Sequence, residues 1–150
     1  KTMAIGRLDV NSEGLLLLTT DGKVSEYVRG RKVEKEYYVQ VDGYIKQEEI
    51  NRLIKGVEIG FNGKKYITKT CKSSLISTPF FKDRTQKIRD DRHGPTSWIS
   101  ITLTEGKFRQ VRKMTAAVGF PTLRLIRVRI DTIMLEGLKL GEVKEVVRFF

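Results

Sequence analysis

Residues 34–42 read EKEYYVQVD, which puts Tyr37, Val39 and Val41 on one face of an extended segment, a period of two that no helix produces. Residues 98–104 repeat the pattern through Ile99, Ile101 and Leu103, and residues 123–130 (LRLIRVRI) read as a third strand. The continuous apolar run 15–19 suits a buried strand that ends at an Asp21-Gly22 turn, and the polar, β-rich stretch 66–76 reads as a strand with a soft far end. Helical spacing interrupts these strands twice. Ile50, Leu53 and Ile54 fall together within 47–55, with Gly56 as the stop signal, and Val111, Met114 and Val118 fall together within 108–118. Strands and helices thus alternate without a repeat. A length of 150 residues is one domain's worth of chain, and 39% hydrophobic residues with only 3 prolines exclude a disordered or collagen-like polymer.

Charge narrows the partners. There are 29 Lys and Arg against 18 Asp and Glu, a net +11 that calls for a polyanion, with nucleic acid first among the polyanions. Seven of the cations (Lys107, Arg109, Arg112, Lys113, Arg124, Arg127 and Arg129) lie between residues 105 and 129, against Glu105 alone. On a helix over 108–118, Arg109, Arg112 and Lys113 share the side opposite the apolar stripe. In the strand that comes next, Arg127 and Arg129 alternate and are expected on one face, which gives two elements with one sign of charge, a surface fit to track phosphates. The polar segment 77–97 carries Lys82, Arg84, Lys87, Arg89 and Arg92 against Asp83, Asp90 and Asp91, and reads either as a solvated loop or as an RNA-contacting flap. The single cysteine, Cys71, and the lack of a signal-like opening point to a reducing cytoplasm. No apolar run approaches the ~20 residues that span a bilayer, so no membrane partner is expected.

One carboxylate stands out. Asp9 sits in GRLDVNSEG, a loop bounded by Gly6 and Gly14 that feeds the apolar run. Calcium binding fails on count, because Glu13 and Thr20 stand where an EF-hand loop needs Asp or Asn and a bidentate Glu. Two readings remain: a turn residue bonding nearby amides, which is what short Asp and Asn clusters beside glycine usually are, and a catalytic carboxylate. Other chemistries lack their parts. The only histidine, His93, lies in the polar segment, one His and one Cys cannot build a zinc site, and no P-loop or dinucleotide fingerprint occurs.

The strings GRLDVNSEGLLLLTTDG, EKEYYVQVDG, PTSWISITLTEGKFRQVRKMTAAVGFPTLRLIRV and GEVKEV, in that order, resemble the RsuA-type family of ribosomal RNA pseudouridine synthases over nearly the whole chain. The stretch from PTSW to LRLIR is most similar to members that act on the large-subunit (23S) RNA. The resemblance implies an α+β fold, a mixed, largely antiparallel sheet with 47–55 and 108–118 packed on it. It implies one catalytic domain over 1–150 that lacks the family's upstream segment, which often includes a small S4-like RNA-binding domain. It implies isomerisation of one uridine, with Asp9 of G-R-L-D as nucleophile or base, Tyr37 of K-x-Y stacking on the base, and Arg112 of R-Q-V-R paired with Asp9. Arg7, Lys107, Arg109, Lys113, Arg127 and Arg129 would contact RNA. The family uses neither metal nor organic cofactor, and the expected partner is ribosomal RNA or an assembling subunit, met by a cytoplasmic monomer. Phe108 departs from the family's usual Asn, and Val143 from its usual Trp. The rival reading is a non-catalytic RNA-binding or ribosome-assembly module on the same fold.

Overall fold

The alternating stretches become the long strands of the central sheet. The computed structural model describes residues 1–30, 32–81 and 94–149. Its elements are β1 (Met3–Ala4), β2 (Glu13–Gly14), β3 (Leu18–Thr19), α1 (Gly22–Arg29), β4 (Lys35–Asp42), α2 (Gln47–Lys55), β5 (Glu58–Phe61), β6 (Lys64–Ile67), β7 (Lys72–Ile76), β8 (Thr96–Leu103), α3 (Gln110–Ala117), β9 (Thr122–Ile130) and β10 (Ile133–Met134). The sheet runs β10-β9-β4-β8-β7, all antiparallel, and β2 pairs β9 in parallel at Ile126 and Arg127, residues that β10 does not cover. A fold of the α+β class with a mixed, mostly antiparallel sheet is therefore what forms. No described helix is long and apolar enough to cross a membrane.

Antiparallel partners directly opposite each other share a face, so the Val39–Ile99 and Tyr37–Ile101 pairings put the period-two residues of β4 and β8 on one side. With Val41, Leu103 and Leu125 they pack against Ile50 and Leu53 of α2 and Val111, Met114 and Val118 at α3. Ile50, Leu53, Ile99, Ile101 and Met114 are fully buried, each contributing about 1.5–3 kcal/mol of transfer free energy. The sheet's other face carries a smaller cluster of Tyr38, Trp98, Ile126 and Val128, covered by Ile76, Phe81 and Leu135. A third cluster seats the N-terminal segment, with Ile5, Leu15, Leu17, Val28, Val33 and Ile130.

The β4–β9 register contains a slip that decides which face each arginine takes. Tyr37 pairs with Arg127 and Glu36 with Arg129, so Val128 is the extra residue of a β-bulge. Arg127 therefore shares Tyr37's face while Arg129 stands on the opposite one. This corrects the expectation of a common face, because the extra residue resets the alternation.

Other departures have equally local causes. The run 15–19 is not one buried strand: Leu15 and Leu17 are buried whereas Leu16 and Leu18 are exposed, because this segment crosses the sheet edge with only one side covered. Residues 66–76 split into β6 and β7, which belong to different sheets, with the Thr68 and Cys71 amides bonded to Val57 O and Ile54 O at the bend. The Asp21-Gly22 signal opens α1 instead of a bare turn, Asp21 Oδ1 accepting from the Lys23 amide at 2.8 Å as an N-cap. Thr96 and Ser97 belong to β8, and the charged residues expected in the polar segment, Lys82 to Arg92 together with His93, lie outside the described residues.

Candidate active site

The strand β2, immediately after the Asp9 loop, docks that loop on the sheet. Its Glu13 grips Arg124 of β9 in a two-point ion pair, Arg124 Nε to Oε2 at 2.8 Å and Nη2 to Oε1 at 2.9 Å. Gly14 lies so close to β9 that a Cβ there would meet Arg127 O at 2.2 Å, and at φ +111 only glycine is unstrained. The next amide, Leu15 N, donates to Arg127 O at 2.9 Å. Within the loop, Ser12 N donates to Asp9 O at 2.9 Å and closes a turn with the backbone of Asp9. The carboxylate is left to face Arg109, whose Nη1 is 3.5 Å from Asp9 Oδ2. Asp9 thus makes its turn with its backbone and presents its carboxylate to a cation, which separates it from an ordinary amide-capping turn residue.

Arg109 reaches Asp9 from an unusual backbone state. It is the N-cap of α3 at φ 52°, ψ 34°, the left-handed region, which is costly for a residue with a Cβ and persists where its surroundings enforce it. The enforcement is visible on both sides. Gln110, buried, accepts from the Lys107 amide at 3.0 Å and donates to Glu105 Oε2 at 2.9 Å. Glu105, also buried, accepts in addition from the Tyr66 hydroxyl and from the Lys69 amide at 2.8 Å. Burial pushes the Glu105 carboxyl up, but the bonds from Tyr66, the Lys69 amide and Gln110, with the Lys69 charge, outweigh it and hold the group below the ordinary carboxylate range. A buried charge is thus fully bonded, and it clamps the loop that aims Arg109.

The family resemblance makes Arg112 the aspartate's ion partner; in the structure that pairing belongs to Arg109. One helical turn on, Arg112 Nη2 donates to Asn11 O at 3.0 Å and Ser12 Oγ at 3.1 Å, bracing the far side of the same turn. The left-handed Arg109 starts the helix at Gln110, two residues later than the sequence pattern suggests, and turns its side chain toward the loop.

Tyr37 lies one strand further in, its Cα opposite Arg127, against whose backbone the Asp9 loop is seated through Gly14. Lys35 shares Tyr37's face. Burial, and then the charge of Arg127, lower the Lys35 ammonium from the usual lysine range. Arg127 is 7% exposed and donates Nε to Leu15 O at 2.8 Å. It is therefore an internal cation and not part of an outer phosphate-tracking surface.

The remaining expected RNA contacts divide. Arg7 from the aspartate loop and Lys113 from α3 sit over the Phe108 ring at 5.3 and 5.4 Å, and Lys113 Nζ also donates to Gly60 O at 2.9 Å. Lys107 lies over Phe61 and Tyr66 at 5.1 and 5.3 Å. Arg129, on the other face, bonds Glu36 at 2.9 Å, Glu34 at 3.4 Å and Asp131 O at 2.7 Å, and the Glu36 bond foremost raises its guanidinium pKa. Arg129 is thus a brace across the sheet face and not a member of this site. Sequence reasoning does not single out Glu105 and Gln110. Their signal is present as Gln110 inside the R-Q-V-R string and Glu105 four residues before it, but the partners Tyr66 and Lys69 are 39 and 36 residues distant from Glu105.

An ion pair on a glycine-seated loop, docked on the strand next to the one that carries Tyr37, is what the structure brings together. The sequence matches the family described as RNA pseudouridylate synthase over residues 1–117, and the chain belongs to it. It is 42% identical over 145 residues to ribosomal large subunit pseudouridine synthase E of Vibrio parahaemolyticus, covering 95% of this chain and 59% of that one. Against the protein of the same name from Xanthomonas axonopodis pv. citri it is 40% identical over 138 residues, covering 90% of this chain and 70% of the relative. A solved structure described as a pseudouridylate synthase superposes with a TM-score of 0.71 at 30% identity, over 91% of this chain and 51% of that one. The chain spans about three fifths of the length of the first relatives it matches.

Proposed function

We propose that this chain forms the catalytic part of an enzyme that isomerises a uridine to pseudouridine in large-subunit ribosomal RNA. The observation that carries the reading is the Asp9 carboxylate held against Arg109 on a loop seated on β9, the strand that pairs with Tyr37's strand. The reaction breaks the C1′–N1 bond, turns the freed uracil, and joins C5 to C1′. The C5 proton is then lost and N1 gains one, so atoms balance without a co-reactant. Charge develops on sugar and base, and a fixed carboxylate is suited either to attack or to stabilise the sugar cation. Arg109 orients Asp9, Arg112 fixes the turn behind it, and Tyr37 packs against the base. A target inside structured RNA must leave its stack, at a cost of a few kcal/mol that contacts from Arg7, Lys107 and Lys113 offset. The partner is ribosomal RNA, free or in an assembling subunit, and the setting is the cytoplasm, with the protein acting as a monomer.

The test is tritium release from ribosomal RNA carrying 5-tritiated uridine, with the product then mapped chemically. Release at a large-subunit site, abolished in Asp9→Asn, is the expected result. Product formation retained by Asp9→Asn would remove the aspartate from the chemistry. RNA binding without any release would favour a non-catalytic RNA-binding module.

A further inference from the structure

Each member of the Asp9–Arg109 pair has an exposed apolar neighbour in sequence: Val10 is 98% exposed and Phe108 51% exposed. A lone exposed hydrophobic residue is ordinary on a protein surface. Phe108 is not alone in this sense, because its ring is the meeting point of two cations from separate elements, Arg7 of the aspartate loop and Lys113 of α3, both within 5.4 Å of its centroid. The backbone next to it is fixed by the Gln110–Glu105 clamp, so the ring is held on rigid structure despite its exposure. A half-exposed aromatic ring with a guanidinium and an ammonium group over it, next in sequence to the arginine that pairs with Asp9, carries the parts that proteins use for unstacked RNA: as the cations move onto the adjoining phosphates, the ring takes a base.

We infer that Phe108 is a stacking platform for a nucleobase flanking the target uridine, with Arg7 and Lys113 holding the phosphates on either side of that base. The inference rests on the synthase reading for the identity of the RNA, and it adds a determinant of substrate choice to that site. Tyr37 would receive the target base, while Phe108 would receive its neighbour after the stack has been opened.

The experiment compares Phe108→Leu, Phe108→Tyr and Phe108→Trp in the full chain, with a large-subunit ribosomal RNA transcript as the probe. Affinity is read by filter binding and turnover by tritium release. Leu keeps an apolar side chain without a π face, and should weaken RNA binding about tenfold, with the loss in KM exceeding that in kcat; Tyr should restore binding. Trp98 is buried, so the indole introduced by Phe108→Trp contributes a separate, red-shifted emission, which RNA should quench by stacking. Phe108→Leu binding as tightly as the native protein, Phe108→Tyr binding as poorly as Phe108→Leu, or an introduced indole left unquenched by RNA would each overturn the inference. The two readings fail separately. Native turnover with an indifferent Phe108→Leu sinks the platform and keeps the synthase; absent turnover with weakened Phe108→Leu binding and a quenched indole sinks the synthase and keeps the platform.

Discussion

Replacing Gly14 with alanine tests whether β2 is truly seated on β9. A Cβ at this position would lie 2.2 Å from Arg127 O, 2.6 Å from Arg127 N and 2.9 Å from Arg127 C, all backbone atoms, so no side-chain rotation relieves the clash. An ordinary contact needs more than 3.4 Å, so β2 must back away by over an ångström. Holding alanine at φ +111 costs about 1–3 kcal/mol, and the retreat breaks the 2.9 Å Leu15–Arg127 backbone bond, worth about 1 kcal/mol more. The sum, about 3 kcal/mol, corresponds to a fall in melting temperature of about 10 °C for a domain of this size. Thermal melts followed by circular dichroism measure it, and tritium release should fall too, because Asp9 is carried on the displaced loop. A melting point within about 3 °C of the native protein, with turnover intact, would refute the close approach and the docking argument built on it.

Arg109→Ala should lower kcat by about 10²–10³ while shifting the melting point little, since the ion pair is partly exposed; a retained kcat would return the role of aspartate partner to another group. For Glu105→Gln the sign comes from linkage. A carboxyl whose folded pKa is depressed contributes stability above its unfolded pKa and loses it as pH falls through the folded value. The variant should therefore melt lower at pH 7 and converge on the native curve in acid, and parallel curves across pH would contradict this. Burial, and then the Glu105 charge, push the Cys71 thiol up to about 11 from 9.0, so near neutral pH it should alkylate about 100-fold more slowly than an unperturbed thiol, with a rate still climbing toward pH 11; brisk labelling at pH 8 would show that the side chain is not buried. Arg129→Ala should cost stability by removing the ion pairs to Glu36 and Glu34 while changing RNA affinity less than about twofold, and a large loss of affinity would restore it to the RNA surface.

How much of the fold is legible in the sequence depends on the strength of its periodicity. The strands β4 and β8 and the helices α2 and α3 bury apolar residues at fixed spacing against one core, so their pattern is set by burial and survives in the primary structure. The helix α1 offers Val24 and Val28 alone as apolar signal, and its start is a single capping Asp21, which is also what a turn looks like. The bulge at Val128 has no composition of its own: it is a backbone event, and it overrides the alternation that would place Arg127 with Arg129. In the candidate site, the Asp9 carboxylate is legible because its motif is contiguous. Its cationic partner is not, because the choice between Arg109 and Arg112 turns on a left-handed residue imposed by Glu105, whose own partners come from 36 and 39 residues earlier in the chain.

The contact between β2 and β9 also bears on when the candidate site is assembled. Glu13 and Arg124 are 111 residues apart, and Leu15 and Arg127 are 112 apart, so the loop bearing Asp9 has nothing to dock on until nearly the whole domain is available. Closing so long a separation is among the slowest steps open to a small domain, since chain entropy is lost before any contact repays it. During synthesis the N-terminal segment would leave the ribosome first and wait for β9 to emerge. The candidate site is then among the last parts to assemble, and a nascent or truncated chain that has formed the β4–β8 pairing but not yet β9 would hold much of its sheet and leave the Asp9 loop undocked.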